Sequence, residues 1–377
     1  MRIGVDARCL EWNRGGVARY LINVLKNWST NRDSNTYILY FQNYIPQDNF
    51  LKNKKFELKL IKGPSFLKKH RILTEQLLFP FELKKDKLDI FFATWYSAPL
   101  LKAGTKTIVA AWDISYTSHP HHYSFFDRVS LGIFSKWSCK NANGIITCSD
   151  YDALQIEKFY KISKEKIKTV YLSADERFSP TKDEKKINKL KEVYKLPEKF
   201  ILSMGVIHNR RNVDKIIDAF ESLKNDFPEF SLVVIGRNAT SPRIDIERKM
   251  DKLIKEKKAI YMSWFEDEDL PFLYQSASFY ICTSTVDGET LMLKEAMKCG
   301  TCVITSSLLS GTIGKNGFII SNPENIIEIS NVIKKAILSE EDTKKFINEG
   351  LDWNKRFNWK NVADESLDFI KKSINIA

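Results

Sequence analysis

The chain has 377 residues, of which 43% are hydrophobic and 12% aromatic, and its formal net charge is +12. This length and composition allow two domains with substantial cores and argue against a disordered chain. The basic residues are mostly lysines scattered among acids, which disfavours nucleic-acid binding, because proteins that bind nucleic acids cluster their charge on one element.

The apolar segments are short. None approaches the roughly 18 consecutive apolar residues needed to cross a bilayer. Met1 and Arg2 lead directly into a strand pattern that ends in Asp6 and Arg8, which is unlike a signal peptide. We therefore expect a cytoplasmic protein, either free or peripheral at the inner face of the membrane.

In the first half of the chain, short apolar runs alternate with longer helical patterns. Strands are predicted over residues 3–6, 37–41, 90–93, 107–111, 144–148 and 167–171, and helices near 17–28, 125–139 and 150–160. Alternation of this kind is typical of a parallel, doubly wound sheet, so an α/β fold is predicted.

The same alternation restarts in the second half. Strands are predicted over residues 200–204, 231–235, 259–262, 278–282 and 302–305. The charged segment before them carries Pro180 and Pro197 and is interpreted as a connector with a short helix. The predicted domains are 1–178 and 199–355, with a linker at 179–198 and a terminal helical segment at 356–377.

A basic region precedes the third predicted strand and contains interleaved aromatic and apolar residues. Its members are Lys52, Lys54, Lys55, Phe56, Lys59, Lys62, Phe66, Leu67, Lys68, Lys69 and Arg71. Such a mixture attracts anionic lipid headgroups. A solvated loop and helix face explains the same pattern, and both interpretations stay open.

The six cysteines lie mostly beside or within apolar strand patterns, so we expect buried thiols. Cys299 and Cys302 have the spacing of a zinc half-site, but no second cysteine pair or nearby histidine completes it in the sequence. Asp267 and Asp269 precede an apolar helical pattern and are interpreted as helix-start acids. No metal site is predicted.

Two carboxylates, Asp287 and Glu295, lie eight positions apart across a loop and a helix start. The free N–H groups near Thr290, Leu291 and Met292 would face the loop after strand 278–282 and can hold a diphosphate. Asp287 can accept hydrogen bonds from sugar hydroxyls, and Glu295 can bind the two hydroxyls of a ribose. A solvated helix start is the alternative for such an acidic pair.

Three further turns follow strand ends. The first contains Asn13, Arg14, Gly15 and Gly16, which lack the Gly-x-Gly-x-x-Gly spacing of dinucleotide-binding proteins. The second carries Arg210 and Arg211 after Gly205. The third carries Trp112 and Asp113, with His119, His121 and His122 a few residues downstream.

Taken together, these motifs resemble those of the retaining glycosyltransferases of family 4. In that family, Glu, seven residues and Glu are followed by Ala-Met, a small residue and Cys-Gly-x-Pro-Val. Here Asp287 replaces the first Glu, Thr290 a Gly and Cys302 the Pro. The resemblance implies a GT-B fold, with two Rossmann-like domains facing a central cleft and a last helix that crosses back to the first domain.

The resemblance also implies roles for individual residues. Arg211 matches a lysine that reaches the donor diphosphate, with Arg210 as its neighbour, and Gly16 leaves room for donor phosphates. Asp113 belongs to a segment that commonly reads His-Asp-Leu-Ser, but Trp112 replaces its histidine. An indole can only stack on a sugar, donate its one N–H or block part of the pocket. The downstream histidines either substitute for the missing one or lie in a surface loop.

The predicted activity is that of a metal-independent, retaining hexosyltransferase without a cofactor. Its donor would be a UDP- or GDP-sugar, with mannose or another hexose, and its acceptor a lipid-linked or cell-surface glycan. Asp287, Arg211 and Asp113 are the candidate catalytic residues; Gly16, Arg210, Arg211, Thr290, Leu291, Met292 and Glu295 are the candidate donor-binding residues. The alternative is a catalytically degenerate homologue that serves as a binding or scaffolding subunit.

Overall fold

A computed structural model describes residues 1–12, 15–101, 104–123 and 125–374 of the chain. Asn13 and Arg14, which belong to the first predicted glycine turn, lie outside the described residues. The chain divides into two compact units. Unit 1 comprises Met1–Leu172 and Asn358–Ala377, and unit 2 comprises Ser173–Phe357.

The regular elements alternate along most of the chain. The strands are β1 (Arg2–Asp6), β2 (Thr36–Phe41), β3 (Phe56–Leu60), β4 (Ile90–Ala93), β5 (Lys106–Ala110), β6 (Gly144–Thr147), β7 (Ile167–Thr169), β8 (Lys199–Met204), β9 (Phe230–Ile235), β10 (Ala259–Met262), β11 (Phe279–Cys282), β12 (Cys302–Ser306) and β13 (Phe318–Ile320). The helices are α1 (Cys9–Trp12), α2 (Gly16–Thr30), α3 (Ser65–Lys68), α4 (Arg71–Leu73), α5 (Phe79–Asp86), α6 (Ser115–Ser118), α7 (Phe125–Asn141), α8 (Asp150–Tyr160), α9 (Glu184–Tyr194), α10 (Val213–Leu223), α11 (Ile246–Lys255), α12 (Leu270–Ser276), α13 (Leu291–Lys298), α14 (Ile326–Leu338), α15 (Glu340–Asn354) and α16 (Trp359–Ser373).

Unit 1 contains a seven-stranded sheet in the order β3-β2-β1-β4-β5-β6-β7. All of its strand pairs are parallel. Its central strands are continuous apolar runs because helices cover both faces of such a sheet. The strand order reverses between β1 and β4, which is where doubly wound sheets bind ligands.

The terminal helix α16 packs against α2 within unit 1. Tyr20 donates a hydrogen bond to Ser366 Oγ at 2.8 Å, and the indole N–H of Trp28 donates to the Ala363 carbonyl at 2.9 Å. Both side chains are fully buried. This helix is therefore part of the core of unit 1 and is tied to it by buried polar contacts.

Unit 2 contains a six-stranded parallel sheet in the order β10-β9-β8-β11-β12-β13. One apolar cluster includes Ile217, Leu232 and Ile333, and another includes Leu202, Tyr274 and Leu293. Helix α9, whose first turn is capped by the Asp183 carboxylate, belongs to this unit. The predicted α/β fold with two doubly wound sheets is confirmed.

Two strands are absent from the sequence prediction. β3 alternates Phe, Glu, Leu, Lys and Leu and forms an edge of the first sheet, so only Phe56 is buried. β13 has three residues and forms an edge of the second sheet. Short edge strands lack the long apolar run that marks a central strand. In the described part of the chain, no helix is long and apolar enough to span a membrane.

Candidate functional site

The strand order of unit 2 reverses between β8 and β11, which pair in parallel with Tyr280 beside Leu202. The loops that leave the carboxyl ends of these two strands therefore start side by side. One leads through residues 205–212 to α10, and the other leads through 283–290 to α13. Ligands of doubly wound sheets bind at this kind of position.

Gly205 begins the first of these loops with a φ of +121°. A Cβ atom there would lie 2.1 Å from Arg211 Nη1 and 2.9 Å from Met292 Cε. Only glycine combines this backbone conformation with such close neighbours. Gly205 thus allows Arg211 and Met292, two predicted donor-binding residues, to approach the same point of the backbone.

The two loops are joined by hydrogen bonds. Asn212, in the left-handed conformation at the start of α10, donates from Nδ2 to the Thr283 carbonyl at 3.0 Å. Thr283 Oγ1 donates to the Arg211 carbonyl at 2.9 Å, and the Thr285 N–H donates to the Arg210 carbonyl at 2.8 Å. These contacts hold the arginine backbone in one position relative to the second loop.

Asp287 lies between the two arginines. Its carboxylate is 3.7 Å from Arg210 Nη2 and 3.5 Å from Arg211 Nη2, and Ser284 Oγ donates to it at 3.4 Å. Burial raises the pKa of Asp287, but Arg210, Arg211 and hydrogen bonds from Ser284 and the Gly288 amide outweigh it, so the pKa is lowered from its usual value. The carboxylate stays ionised and orients both guanidinium groups.

Two buried polar atoms of this region have no hydrogen-bond partner among the described residues. They are Nε of Arg211 and Oγ1 of Thr290. Thr290 precedes α13, and its side chain makes no capping hydrogen bond to that helix. Buried polar groups are nearly always hydrogen-bonded, so each unsatisfied one needs an explanation. An anionic ligand would satisfy a guanidinium, a hydroxyl and the first N–H groups of a helix together.

Glu295 is placed deeper than the arginines. It is 1% exposed, and its carboxylate accepts a hydrogen bond from the hydroxyl of buried Tyr274 at 3.1 Å. Tyr280, whose hydroxyl donates to the Met204 carbonyl at 3.2 Å, interacts electrostatically with Arg211, Glu295 and Asp287. If Glu295 binds a ribose, its carboxylate would accept hydrogen bonds both from the ribose hydroxyls and from the Tyr274 hydroxyl.

A second ion pair lies in the same segment and has no counterpart in the sequence prediction. The Lys294 ammonium pairs with the Glu289 carboxylate, and the two side chains are 0% and 2% exposed. Lys294 Nζ also lies 3.4 Å from the centroid of the Phe357 ring. The sequence carries no signal for this pair, because a lysine on a helix is normally solvated, whereas here its helix neighbours Leu293, Glu295 and Ala296 are all buried.

His208 is another residue to which the sequence prediction gave no role. Burial, followed by the charges of Arg210 and Arg211, lowers its pKa from 6.5 to about 4. Its imidazole is therefore neutral near pH 7 and adds no charge to the arginine pair. The signal for this behaviour in the sequence is its position two residues before Arg210.

Unit 1 contains the remaining predicted site residues. Gly16 is the first residue of α2, and a methyl group on it would meet no described atom within 4 Å. Asp113 accepts hydrogen bonds from the Ser115 N–H at 2.6 Å and from Ser115 Oγ at 2.8 Å, so its carboxylate stabilises the turn into α6. Neither residue belongs to the unit that holds Arg210, Arg211 and Asp287.

Trp112 is a core residue of unit 1. It is 6% exposed, its indole N–H donates to the Thr94 carbonyl at 2.8 Å, and its ring centroid lies 4.4 Å from that of Tyr20. The one hydrogen-bond donor of the indole is thus already used inside the unit. This environment favours a packing role over each of the three ligand-directed roles considered for Trp112.

The downstream histidines form a small aromatic group. The rings of His121 and His122 are 4.0 Å apart, and Nδ1 of His119 is 2.9 Å from Ser118 Oγ. Burial, followed by His121, lowers the pKa of His119, while Asp113 opposes this shift. Within the described ranges, no group of His, Cys, Asp or Glu side chains is arranged to hold a metal ion. All six cysteines are buried free thiols, as expected.

Two parallel, doubly wound units, one with a basic and partly unsatisfied site at its strand-order reversal, define an α/β protein suited to an anionic ligand. The model of the family described as Glycosyl transferases group 1 matches residues 184–353, and that of Glycosyltransferase Family 4 matches residues 14–177. The two matches together cover most of both units. The chain is therefore a glycosyltransferase, and each of its two units matches the model of one of these families.

Curated relatives include several mannosyltransferases. The O-antigen chain mannosyltransferase B of Escherichia coli is 23% identical over 387 residues, which cover 98% of this chain and 100% of the relative. The serotype-specific mannosyltransferase WbdA of Escherichia coli is 24% identical over 234 residues, covering 61% of this chain. The matched region spans only 29% of WbdA.

Solved structures with the same architecture cover nearly the whole chain. WaaG, a glycosyltransferase involved in lipopolysaccharide biosynthesis, superposes with a TM-score of 0.76 at 16% identity, over 98% of this chain and 99% of its own. Anabaena Alr3699/HepE in complex with UDP and glucose gives 0.74 at 16% identity, over 99% of this chain and 100% of its own. At these identities the similarity shows the fold.

Proposed function

We propose that this glycosyltransferase moves a hexose from a nucleotide-diphosphate sugar to a lipid-linked or cell-surface glycan, with retention of the anomeric configuration. The observation that carries the donor assignment is the pair of buried atoms without partners, Arg211 Nε and Thr290 Oγ1. A diphosphate supplies the acceptor oxygens that both groups need.

Mannose is the proposed sugar. The full-length relative is a mannosyltransferase of an O-antigen chain, and the WbdA relatives carry the same activity in their names. The complexes of HepE contain UDP and UDP-glucose, so both GDP-mannose and UDP-hexoses are donors to test. The O-antigen chain in the name of this relative and the lipopolysaccharide biosynthesis in which WaaG is involved support a glycan acceptor attached to a lipid.

The proposed reaction needs no nucleophile from the protein. The acceptor hydroxyl attacks the anomeric carbon on the face from which the diphosphate departs, and the C–O bond to the diphosphate breaks as the new glycosidic bond forms. Arg211 and the N–H groups of Leu291 and Met292 stabilise the negative charge that develops on the leaving oxygen. In this scheme, arginine and helix N–H groups stabilise the leaving diphosphate, as a metal ion does in other transferases. The proton of the acceptor hydroxyl is transferred to an oxygen of the departing diphosphate.

Asp287 has two functions in the proposed site. It orients Arg210 and Arg211, as its distances indicate, and its ionised carboxylate accepts a hydrogen bond from a hydroxyl of the transferred sugar. Arg210, whose Nε donates to the Val286 carbonyl at 3.1 Å, keeps the loop in place beneath the diphosphate. Glu295 binds the ribose.

The experiment that tests the proposal is a titration of the purified protein with GDP-mannose, UDP-glucose, GDP and UDP, followed by measurement of sugar transfer. Binding of one donor with release of its nucleotide is expected, and nuclear magnetic resonance of the product should show the donor's anomeric configuration. Absence of binding by every nucleotide would contradict the proposal. Binding without transfer to any glycan acceptor would favour the degenerate, scaffolding alternative.

We further infer that the protein works at the cytoplasmic face of the membrane. The acceptor in this proposal is anchored in lipid, and the exposed lysines Lys54, Lys62 and Lys69 of the basic region are suited to anionic headgroups. Other members of that region are used inside the protein. Arg71 lies against the Trp95 ring at 4.5 Å, and Lys55 pairs with Asp33 at 2.9 Å.

A further inference from the structure

Beyond the arginine pair, the strand ends of unit 2 continue side by side toward the β10 edge of the sheet. Met204 of β8 pairs with Ile235 of β9, and Ile235 pairs with Met262 of β10. The pairing of β8 and β9 persists past the strands, because Ile207 and Asn238 form a further parallel bridge. The residues that follow these strands are therefore still in register.

The first residues after β8 and β9 are glycines. The Gly205 N–H donates to the Ile235 carbonyl at 2.9 Å, and the Gly236 N–H donates to the Met262 carbonyl at 2.8 Å. Gly236 has a φ of +150°, and a Cβ atom on it would overlap the Gly205 carbonyl oxygen. Since neither position can carry a side chain, a ligand can approach the backbone closely along these strand ends.

The next residues of the three strand ends carry side chains that face solvent. Val206 and Arg237 lie side by side in the register of β8 and β9, and the β9–β10 register, continued by two residues, sets Trp264 level with Arg237. Val206 is 39% exposed, Trp264 is 72% exposed, and Arg237 is exposed as well. Because neighbouring strands are about 4.8 Å apart, these three residues, which we call the exposed row, extend about 10 Å across the sheet edge.

Arg237 and Trp264 are not used inside the protein. In the described part of the chain, no ion pair and no side-chain hydrogen bond involves the Arg237 guanidinium. Trp264 is the most exposed tryptophan among those whose side chains the structure describes. A guanidinium beside an exposed indole suits a flat, polar ring, since the indole can stack on the face of the ring while the guanidinium binds its edge.

The exposed row lies next to the candidate donor site. Its Val206 end follows Gly205, whose Cβ position is adjacent to the Arg211 guanidinium. Its other end begins the segment 263–269, which leads from β10 to α12 and so to Tyr274, the residue that donates to Glu295. A nucleotide with its diphosphate at Arg211 and its ribose at Glu295 can therefore extend its base along the exposed row.

We propose that Arg237 and Trp264 select guanine as the base of the donor nucleotide. This assignment rests on the proposed transferase function and decides between the GDP- and UDP-sugars considered there. Arginine binds guanine through two hydrogen bonds, to O6 and N7, whereas adenine presents an amino donor in place of O6 and uracil has no N7. A bicyclic purine also covers more of the Trp264 indole than a pyrimidine does.

The test is calorimetric titration of the full chain with GDP, UDP, ADP and inorganic pyrophosphate. GDP should bind the wild type at least about tenfold more tightly than UDP or ADP, because only guanine accepts both hydrogen bonds. Arg237→Ala should lose about tenfold in GDP affinity and keep its affinity for pyrophosphate, which has no base. Arg243→Ala, at another exposed arginine of unit 2, is the matched control and should bind GDP like the wild type.

Two analogues probe the hydrogen bonds without any change in the protein. Inosine diphosphate keeps O6 and N7 and should bind the wild type as tightly as GDP does. The GDP analogue in which carbon replaces N7 should bind the wild type about tenfold more weakly than GDP, since a charge-assisted hydrogen bond is lost. Arg237→Ala should bind this analogue and GDP equally. A difference that Arg237→Ala leaves unchanged would assign the recognition of N7 to another residue and contradict the proposal.

The stacking contact has its own variant. Trp264→Ser should lose about tenfold in GDP affinity, because stacking of a base on an aromatic side chain is removed. Ile254→Ser is the control, since it removes a 41% exposed apolar side chain from α11 of the same unit and should not change GDP affinity. Circular dichroism of each variant should match that of the wild type. Tight GDP binding that neither Arg237→Ala nor Trp264→Ser weakens would overturn the assignment of both residues.

The titrations also separate this assignment from the proposed transferase function. Equal affinities of the wild type for GDP and UDP would overturn the selection of guanine and leave the transferase proposal intact. Absence of binding by every nucleotide and by pyrophosphate would refute the donor site itself, and the guanine assignment with it. Tighter binding of GDP than of UDP, lost in Arg237→Ala while pyrophosphate binding persists, would support both.

Discussion

Lys294 and Glu289 form an ion pair that is almost completely enclosed within unit 2, in the segment that also carries Asp287 and Glu295. Glu289 belongs to the loop, and Lys294 belongs to the first turns of α13. The pair therefore links the loop before the helix to the helix itself. Since Phe357 covers the ammonium group, water has little access to either charge.

Removing one partner of this pair should be costly. Lys294→Met leaves the Glu289 carboxylate buried without its counter-charge, and we expect a loss of about 3–5 kcal/mol in the free energy of unfolding. The double variant Glu289→Leu, Lys294→Met should recover much of that loss, because it leaves no buried charge. Urea denaturation measures both effects. The exposed pair Lys344 and Glu340 is the control, and Lys344→Met should leave the denaturation midpoint unchanged.

Arg211→Ala should weaken nucleoside-diphosphate binding by about 1.5–3 kcal/mol, since a charge-assisted hydrogen bond to phosphate is lost. Arg211→Lys keeps the charge but not the planar fork, so its affinity should fall between the alanine variant and the wild type. Calorimetric titration with GDP and UDP measures both. Arg243→Ala, at an exposed arginine of the same unit, should bind like the wild type. Equal affinities of the Arg211→Ala and Arg243→Ala variants would remove Arg211 from the site.

Glu295→Ala should weaken GDP or UDP binding by about 1–3 kcal/mol because a diol contact disappears. Inorganic pyrophosphate has no ribose, so its affinity should not change in the same variant. Tyr274→Phe removes the hydroxyl that donates to Glu295 and should have a smaller effect. If pyrophosphate binding falls as much as nucleotide binding, Glu295 supports the diphosphate site and not the ribose.

Whether the sequence alone predicts the position of a residue depends on the surroundings of that residue in the fold. Apolar runs such as Phe230–Ile235 predict central strands correctly because parallel strands are buried on both faces. The sequence also places Arg210, Arg211 and Asp287 on loops at neighbouring strand ends. It does not reveal that Trp112 points into a core, because a tryptophan after a strand has the same pattern in a core or a pocket. Nor does it reveal Lys294, since a lysine on a helix is normally solvated.

Gly205→Ala should reduce nucleotide binding by displacing Arg211. The added methyl group would lie 2.1 Å from Nη1 of that arginine, and φ of +121° is strained for any residue with a side chain. Titration with GDP and UDP should show a loss comparable with that of Arg211→Ala. Gly311→Ala is the matched control in unit 2, because its methyl group would meet no described atom within 4 Å. Unchanged nucleotide affinity of Gly205→Ala would show that the guanidinium can move without consequence.

The partly buried histidine His208 should make stability depend on pH in the acidic range. Its pKa is about 4 in the folded protein and 6.5 when exposed, so the unfolded chain takes up a proton between these values while the folded protein does not. Stability contributed by neutral His208 is complete above about pH 6.5 and falls as the pH decreases toward 4, by up to about 1.4 kcal/mol per pH unit.

His208→Gln removes this titration, so the difference in unfolding free energy between wild type and variant should shrink over that range. His70→Gln, at an exposed histidine, is the control and should follow the wild-type profile. A pH profile of His208→Gln parallel to that of the wild type would show that His208 is protonated as readily in the folded protein as in the unfolded chain.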